Sequence, residues 1–392
     1  MERRVSIIGT GITKHVAYDV DRSWKEMLAE AVFEALDDCG LKPTELQGGV
    51  VAYHGEAMLD TGNIGPLIAD TVGMEPAGVT GISVACAGGA VALYHGYALV
   101  ASGLCDAVLV AGFEKGSELY EYVETIGNSS ESDYDYNFGL THLDWLGLIT
   151  LRYQQKYEMP DWESVVNWIE DRHWFARRHP KSFYYGQAMP SRRDLQRNMM
   201  HWAAARADGA AAVILTTEAL AKRLRKPAVY LDGLGFSCAS AYLPHRFHHA
   251  WQNPEADIAD SELTRTAADR AYRMAGLKDV GEINLLEISD GSPGVTFVEL
   301  EALGLYPRGG AWKGVLEGAH GLTGRYPTNT HGGSIAFGHA SGAAALVSVI
   351  EAVAQMRGEA GERQISGPVT TSLCQASGGS NSNNTVMVLR RE

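Results

Sequence analysis

Two stretches of the 392-residue chain open alike. "VSIIGTGITK" from Val5 and "VYLDGLGFSC" from Val229 are each an apolar strand ending in a glycine turn. Each is followed by apolar residues at i, i+3 and i+4, the spacing of a helix with one buried face. In the first half this segment is "SWKEMLAEAVFEALDDCGL", with Ser23 placed as N-cap; in the second it is "SELTRTAADRAYRMAGL", with Ser261. Both end in a Gly-Leu pair (Gly40, Leu41; Gly276, Leu277), where glycine can take the left-handed C-cap conformation. A polar link and an apolar strand follow, "LQGGVVAYHG" and "INLLEISDG". The third match is turn, small-residue helix, strand: "SVACAGGAVALYHGYALVASGLCDAVLVAGFE" against "GHASGAAALVSVIEAVAQMRGE" and "GPVTTSLCQASGG". A chain that repeats strand and helix in this order is confined to an α/β layered architecture, and its two Ala/Gly/Ser-rich helices are predicted to lie close together between sheets. The predicted halves are 1–225 and 226–392, divided in "AKRLRKPAVY", where charge and a proline interrupt the apolar pattern. Residues about 113–205 do not fit the repeat; they are aromatic-rich and predict an insertion over one face.

With 45% hydrophobic and 20% charged residues the chain can bury a large core. No apolar run reaches the roughly 18 residues of a membrane span. "MERRVSIIGTGITKH" enters a strand without the apolar region of a signal peptide, so the expectation is a cytoplasmic protein with no membrane role. Forty-seven acidic against 33 basic residues, a formal charge of -14, set a repulsive background for nucleic acid. Cys39, Cys86, Cys105, Cys238 and Cys374 lie far apart, odd in number and without a CxxC pair, which argues against a disulfide framework and a zinc site. His320, His331 and the "HRFHH" run at 245–249 lack cysteine or carboxylate neighbours at metal-ligand spacing, so no metal is expected. The basic segment 174–202, with Arg177, Arg178, Lys181, Arg192, Arg193 and Arg197, reads equally as a solvated helix face or as anion contacts.

Chemistry concentrates at two turns. In "TGISVACAGGAVA" (80–92) Cys86 stands where a strand hands over to a glycine-rich helix. Unpaired N–H groups and the helix dipole there favour a thiolate, whereas the plain alternative is a buried, inert thiol. In "NTHGGSIAFGHASGAAAL" (329–346) a glycine turn presents His339 at the start of the second small-residue helix. If the halves pack about a pseudo-twofold axis, the two side chains share a site and the imidazole can take the thiol proton.

"SVACAGGAVA", "NTHGGSIAFGHASG" and "SLCQASGGSNSNNTVMVL" resemble the three signature regions of the thiolase superfamily, closest to its lipid-transfer-protein/thiolase branch, over the whole chain. The resemblance implies the thiolase fold: duplicated βαβαβαββ halves in a five-layered αβαβα sandwich. It also implies Cys86 as acyl acceptor, His339 as the histidine of GH-x-x-G, and Gly378 and Gly379 in a loop that shapes an oxyanion hole. "AYHGE" (52–56), "GFEKGSE" (112–118) and "SSESDYDYNFGLTHLD" (129–144) resemble the thiolase-like subunit of phloroglucinol acetyltransferases, with benzoylsuccinyl-CoA thiolases a second relative by architecture. Those resemblances imply roles for His54, His142 and Ser341, a homodimer core, and a small partner subunit of zinc-ribbon and OB type.

Several positions stay open. His54 and His142 read as catalytic or as hydrogen-bonded structural histidines, and Asn329 as a turn residue or the holder of a water. Asp290 orients a site group or caps "GSPGVTFVELEALGL". Cys374 is either a second, proton-shuttling cysteine or a core thiol, since it lies four residues before Gly378 and departs from the family's Cys-x-Gly-Gly spacing. "EISDGSP" puts Ser289 and Asp290 where many thiolases carry histidine or asparagine, and Ser289 with Cys86 speaks against an aldolase. The resemblance implies reversible thiolysis or Claisen-type formation of a β-oxoacyl-CoA through an acyl group on Cys86, with coenzyme A as co-substrate and no permanently bound cofactor. Arg192 and Arg193 among aromatic residues suggest an aromatic acyl group with an extra carboxylate, as in benzoylsuccinyl-CoA. The alternatives are a CoA-independent C-acetyltransferase acting on a phenolic ring, and a non-catalytic scaffold subunit.

Overall fold

The computed structural model describes residues 3–55, 61–118, 129, 131, 133–242 and 257–392. Its strands are β1 Val5–Ile12, β2 Gly48–Tyr53, β3 Gly78–Ser83, β4 Ala107–Glu114, β5 Gly209–Thr217, β6 Val229–Cys238, β7 Leu285–Ile288, β8 Thr371–Gly378 and β9 Asn383–Arg390. They hydrogen-bond in the order β3-β2-β4-β5-β1-β6-β9-β8-β7. Read outward from the centre, the halves are β1-β5-β4-β2-β3 and β6-β9-β8-β7, the same order twice. The seam is a short antiparallel pairing of Ser6 with Tyr230 and Ile7 with Val229. The directions repeat as well: β2 with β4 and β7 with β8 run parallel, while the pairs that include β5 or β9 run antiparallel. The halves differ at the outer edge, where the partner of β7 is reduced to a bridge between Leu286 and Thr328. Pro327 has no N–H to extend the ladder, and Asn329, at φ +48°, turns the chain away.

The helices that follow each first strand form for the reasons their sequences give. Ser23 and Glu26 make a reciprocal capping box on Trp24–Cys39, which stops at Gly40, φ +73°. Ser261 caps Glu262–Ala275, which stops at Gly276, φ +61°.

Layering follows from strand parity, because successive side chains of a strand point to opposite faces. On β5, Ala210, Ala212 and Ile214 join a core with helices Trp24–Cys39 and Ile64–Val72. Its Ala211, Val213 and Leu215 join a central core with helices Gly88–Ala101 and Ser341–Arg357. On β9, Met387 and Leu389 face that same central core. Val386 and Val388 face a third core with helices Glu262–Ala275 and Pro293–Ala302. Helix, sheet, helix pair, sheet, helix: these are the five layers of the thiolase sandwich. The central helices touch because they lack side chains where they cross. A Cβ on Gly89 would sit 3.0 Å from the Gly342 carbonyl oxygen, and one on Gly112 of β4 only 2.0 Å from it.

The insertion leaves the first half and covers the second. Helices His142–Lys156 and Glu163–Ala176 contribute Leu146, Ile149, Tyr153, Val165, Trp168 and Ile169 to the outer core of the second half. Strand β4 itself runs through Glu114, slightly past the expected start of the insertion. No helix among the described residues is long and apolar enough to cross a membrane.

Candidate active site

Cys86 lies in the tight turn Ala85–Ala87, which leads directly into helix Gly88–Ala101. His339 stands two residues ahead of helix Ser341–Arg357, at the equivalent point of the other half. Its backbone is fixed by its own N–H to the Ala205 carbonyl at 2.6 Å and by the Ala207 N–H to its carbonyl at 3.3 Å. The packing of the two small-residue helices brings the reactive atoms together: His339 Nε2 is 3.1 Å from Cys86 Sγ. Ser341 Oγ lies 3.9 Å from the same sulfur.

The electrostatics correct one expectation. The helix N-terminus was expected to favour a thiolate, but desolvation pushes the Cys86 thiol up to about 11, against the Ser341 hydroxyl and the turn's own backbone. Burial likewise pulls His339 down to about 4, opposed by the charge of Asp290. The resting pair is therefore neutral thiol and neutral imidazole, and the sulfur ionises as its proton passes to Nε2 during attack. Glu114, at the end of β4, adds to this. It is 3% exposed and its Oε2 has no hydrogen-bond partner. Burial and the nearby Cys86 push it up to about 8, so at neutral pH it stands protonated and sets no negative charge against a forming thiolate.

One cavity opens onto this pair. Its polar lining is His54, His142, Asn381 and the serines 129, 289, 334, 341, 377 and 380; Leu143, Trp145, Leu146, Ile149 and Val295 form an apolar wall, and Gly378 and Gly379 close the side next to Cys86. Among the described residues no arginine or lysine lines it. His54 follows β2, and its Nε2 shares a hydrogen with Ser129 Oγ at 3.1 Å. His142 opens helix His142–Lys156, capped by Thr141 and Asp144. Burial, with His339 nearby, pulls it down to about 4, so it is a neutral imidazole at neutral pH. Gly378 needs to be glycine because a Cβ there would lie 2.7 Å from the Ala87 nitrogen, in the nucleophile's own turn.

Behind the wall stand the supporting residues. Asp290 is fully buried; its Oδ1 accepts the Ser334 N–H at 2.6 Å, and burial pushes it up to about 6. Asn329 is a turn residue: its side chain accepts from the Ile288 N–H at 2.7 Å and donates to the Ile288 carbonyl at 2.9 Å, in the manner of a missing strand partner.

Other sequence-derived candidates lie elsewhere. Cys374 is fully buried in the central core, with its sulfur toward the Ser348 carbonyl; it does not line the cavity, and burial pushes its thiol far up. Arg192 is held by Glu163, Glu170 and Asn167 on the insertion, and neither it nor Arg193 lines the cavity. His320 bonds Tyr306 and Thr328, and His331 bonds Glu287. The 245–249 histidines lie outside the described residues. Sequence reasoning passed over Ser129, Ser334, Ser377 and Glu114, although all four sit inside stretches quoted for the resemblance. A lone serine or glutamate in a motif carries no signal of which face it presents.

The comparisons agree with this architecture. Residues 5–159 match the model of the thiolase N-terminal domain, and residues 246–391 that of the thiolase C-terminal domain-like family. An acetyl-CoA acetyltransferase from Methanothermobacter thermautotrophicus is 29% identical over 371 residues, covering 93% of this chain and 94% of the relative. Sterol carrier protein 2 from Gallus gallus is 26% identical, covering 94% of this chain and 68% of the relative. Among solved structures, an Ltp2-ChsH2(DUF35) aldolase superposes with TM-score 0.81 at 20% identity, over 99% of this chain and 98% of that one. Human mitochondrial 3-ketoacyl-CoA thiolase superposes with TM-score 0.73 at 14% identity, over 99% of both chains. With both halves matched in order and the fold shared end to end, this chain belongs to the thiolase superfamily, in its SCP2-thiolase-like branch.

Proposed function

We propose that this protein is a C-acyltransferase that holds its acyl group as a thioester on Cys86 and passes it to a carbon acceptor bound in the adjoining cavity. The observation that carries the reading is the 3.1 Å approach of His339 Nε2 to Cys86 Sγ at the end of that cavity. In acylation, Sγ bonds to the donor carbonyl carbon while its proton moves to Nε2; the leaving group departs and takes that proton from the imidazolium. Backbone N–H groups of the Cys86 turn and of the Gly378/Gly379 loop are the candidates to hold the tetrahedral oxygen. In the second step the acceptor carbon attacks the thioester, its proton going to His54 or to the neutral imidazole of His142, and that proton passes by way of His339 to the departing Cys86 sulfur.

Two features favour a carbon acceptor over CoA-dependent thiolysis of a dicarboxylic substrate. Among the described residues the cavity offers no cation for a carboxylate, while its serines, histidines and Asn381 match the hydroxyls of a neutral phenolic ring, and its apolar wall suits the ring face. The second cysteine, which would manage the thiol proton of coenzyme A, is also missing from the lining: Cys374 faces Ser348 in the core. The second reading is reversible thiolysis of a β-oxoacyl-CoA, favoured by the likeness to acetyl-CoA acetyltransferases. A homodimer core with a small second subunit belongs to the same proposal, supported by a structural neighbour whose description names two components.

The test incubates the full chain, alone and with a co-purified partner, with an acetylated phenol plus free phenol, and separately with a β-oxoacyl-CoA plus coenzyme A. Exchange of the acetyl group between phenols, with the acyl mass held on Cys86, is the expected result. Release of acyl-CoA in the second arm alone would replace the proposal by thiolysis. Absence of any acyl mass in both arms would leave a non-catalytic scaffold.

A further inference from the structure

We infer that Ser334 is a positioning residue that selects the tautomer of His339, turning the Nε2 lone pair toward Cys86; the inference rests on the acyl-enzyme reading above. His339 Nδ1 lies 3.1 Å from Ser334 Oγ, on the opposite edge of the ring from the 3.1 Å contact of Nε2 with the sulfur. Both ring nitrogens are thus engaged, and the neutral ring has one proton to place. For Cys86 to donate its S–H to Nε2, Nδ1 must carry that proton and give it to the serine oxygen. A hydroxyl at this place accepts the hydrogen without bringing a charge to the ring.

Ser334 is itself tightly held. Its N–H donates to Asp290 Oδ1 at 2.6 Å, and its carbonyl accepts from the Ala205 N–H at 3.0 Å. The same Ala205 carbonyl accepts the backbone N–H of His339, so serine and histidine hang on one residue and keep their register. Gly333 makes the arrangement possible. It has φ +63°, and a Cβ there would stand 1.9 Å from Asp290 Oδ2. The carboxylate thus stands three contacts from the sulfur, through the amide and hydroxyl of Ser334 and then the ring of His339.

The experiment compares the parent, Ser334→Ala and Ser334→Thr as full chains, with three readouts: the rate at which an acyl donor loads Cys86, followed by peptide mass spectrometry; the tautomer of His339 in protein labelled with 15N-histidine, assigned by its absence from His339→Gln; and the thermal midpoint. Ser334→Ala is expected to slow loading about 10- to 100-fold and to move the His339 signal away from the Nδ1–H pattern, with the midpoint nearly unchanged. Ser334→Thr is expected to restore both. Loading at the parental rate, or an unchanged tautomer in the alanine variant, overturns the inference while acyl-Cys86 still forms. If the parent loads no acyl group at all, the acyl-enzyme reading fails instead, and the tautomer readout still decides whether Ser334 orients the ring.

Discussion

The two halves present their reactive side chains at equivalent points, yet they hold them in opposite ways. The Cys86 turn is three residues long and is fixed by shape. Ala85 takes φ +46°, Gly378 lets the neighbouring loop approach Ala87, and the carboxyl of Glu114 keeps one oxygen without a partner. The His339 turn is long and is fixed by hydrogen bonds. Asn329 bonds to Ile288, Thr330 and His331 to Glu287, Ser334 to Asp290, and His339 to Ala205. Burial works against charge on His331, and the carboxylates of Glu287, Glu351 and Asp290 together more than offset it, so that imidazole is held above its ordinary range. The difference teaches what each partner needs. A sulfur nucleophile gains from a dry, close-fitting seat, where its thiolate is reactive once formed; a base gains from one fixed ring orientation, which only directional bonds supply.

Removing the partners themselves breaks the comparison most severely. Cys86→Ala is expected to abolish acyl transfer, and His339→Ala to lower it by about 10³- to 10⁴-fold, as loss of a nucleophile's base does elsewhere. Steady-state turnover of the purified variants checks this, and an active Cys86→Ala protein would contradict it.

The shape-held half carries a cost that pH exposes. The Glu114 carboxyl is pushed up to about 8 from an ordinary 4.5, so its contribution to stability is present below about pH 4.5 and is lost as pH rises through about 8. Glu114→Gln removes the ionisation. The stability of the variant relative to the parent is expected to grow by up to about 1.4 kcal/mol for each pH unit across that window, amounting to a few kcal/mol, measured by denaturant titration at several pH values. A difference that stays constant with pH would place Glu114 in a better solvated environment than the one described.

Gly378→Ala sharpens the same contrast, because a Cβ 2.7 Å from the Ala87 nitrogen has to push the nucleophile's turn. A loss of about 1 to 3 kcal/mol in stability is expected, with slower Cys86 loading, read by thermal melting and by acylation rate together. The smallest effect is reserved for the insertion. Arg192 is 39% exposed in its ion pairs with Glu163 and Glu170, so Arg192→Ala should change stability by less than about 1 kcal/mol and leave the apparent affinity for substrate unaltered. A large rise in KM would return this arginine to substrate recognition.

Much of this contrast was legible in the sequence. The duplicated order of strand, capped helix and strand is visible from Ser23 and Gly40 to Ser261 and Gly276, and the two small-residue helices imply that whatever precedes them will meet. The meeting of Cys86 with His339 was read from that, on condition that the halves pack about a pseudo-twofold axis, while their chemical roles came only with the thiolase resemblance. What escaped depends on distances along the chain's third dimension. Cys374 shares its face of β8 with Ala376, which occupies the cysteine place of the Cys-x-Gly-Gly spacing. Two residues further back along a strand is about 6.8 Å, enough to move the sulfur from the site into the core. Arg192 looked free because Glu163 and Glu170 are remote in sequence. The thiolate expectation at Cys86 counted the helix terminus and not the desolvation, which here is the larger effect. Ser334 was hidden because its meaning lies in the ring behind it.

The most direct test of the central claim is rapid quenching of the parent and of His339→Ala during turnover with the acyl donor found active, followed by mass spectrometry of the Cys86 peptide. The account predicts an acyl group on Cys86 that appears within one turnover in the parent, disappears when acceptor is added, and forms about 10³-fold more slowly in the variant. A parent that turns over with Cys86 unmodified, or equal rates of loading in the two proteins, would contradict it.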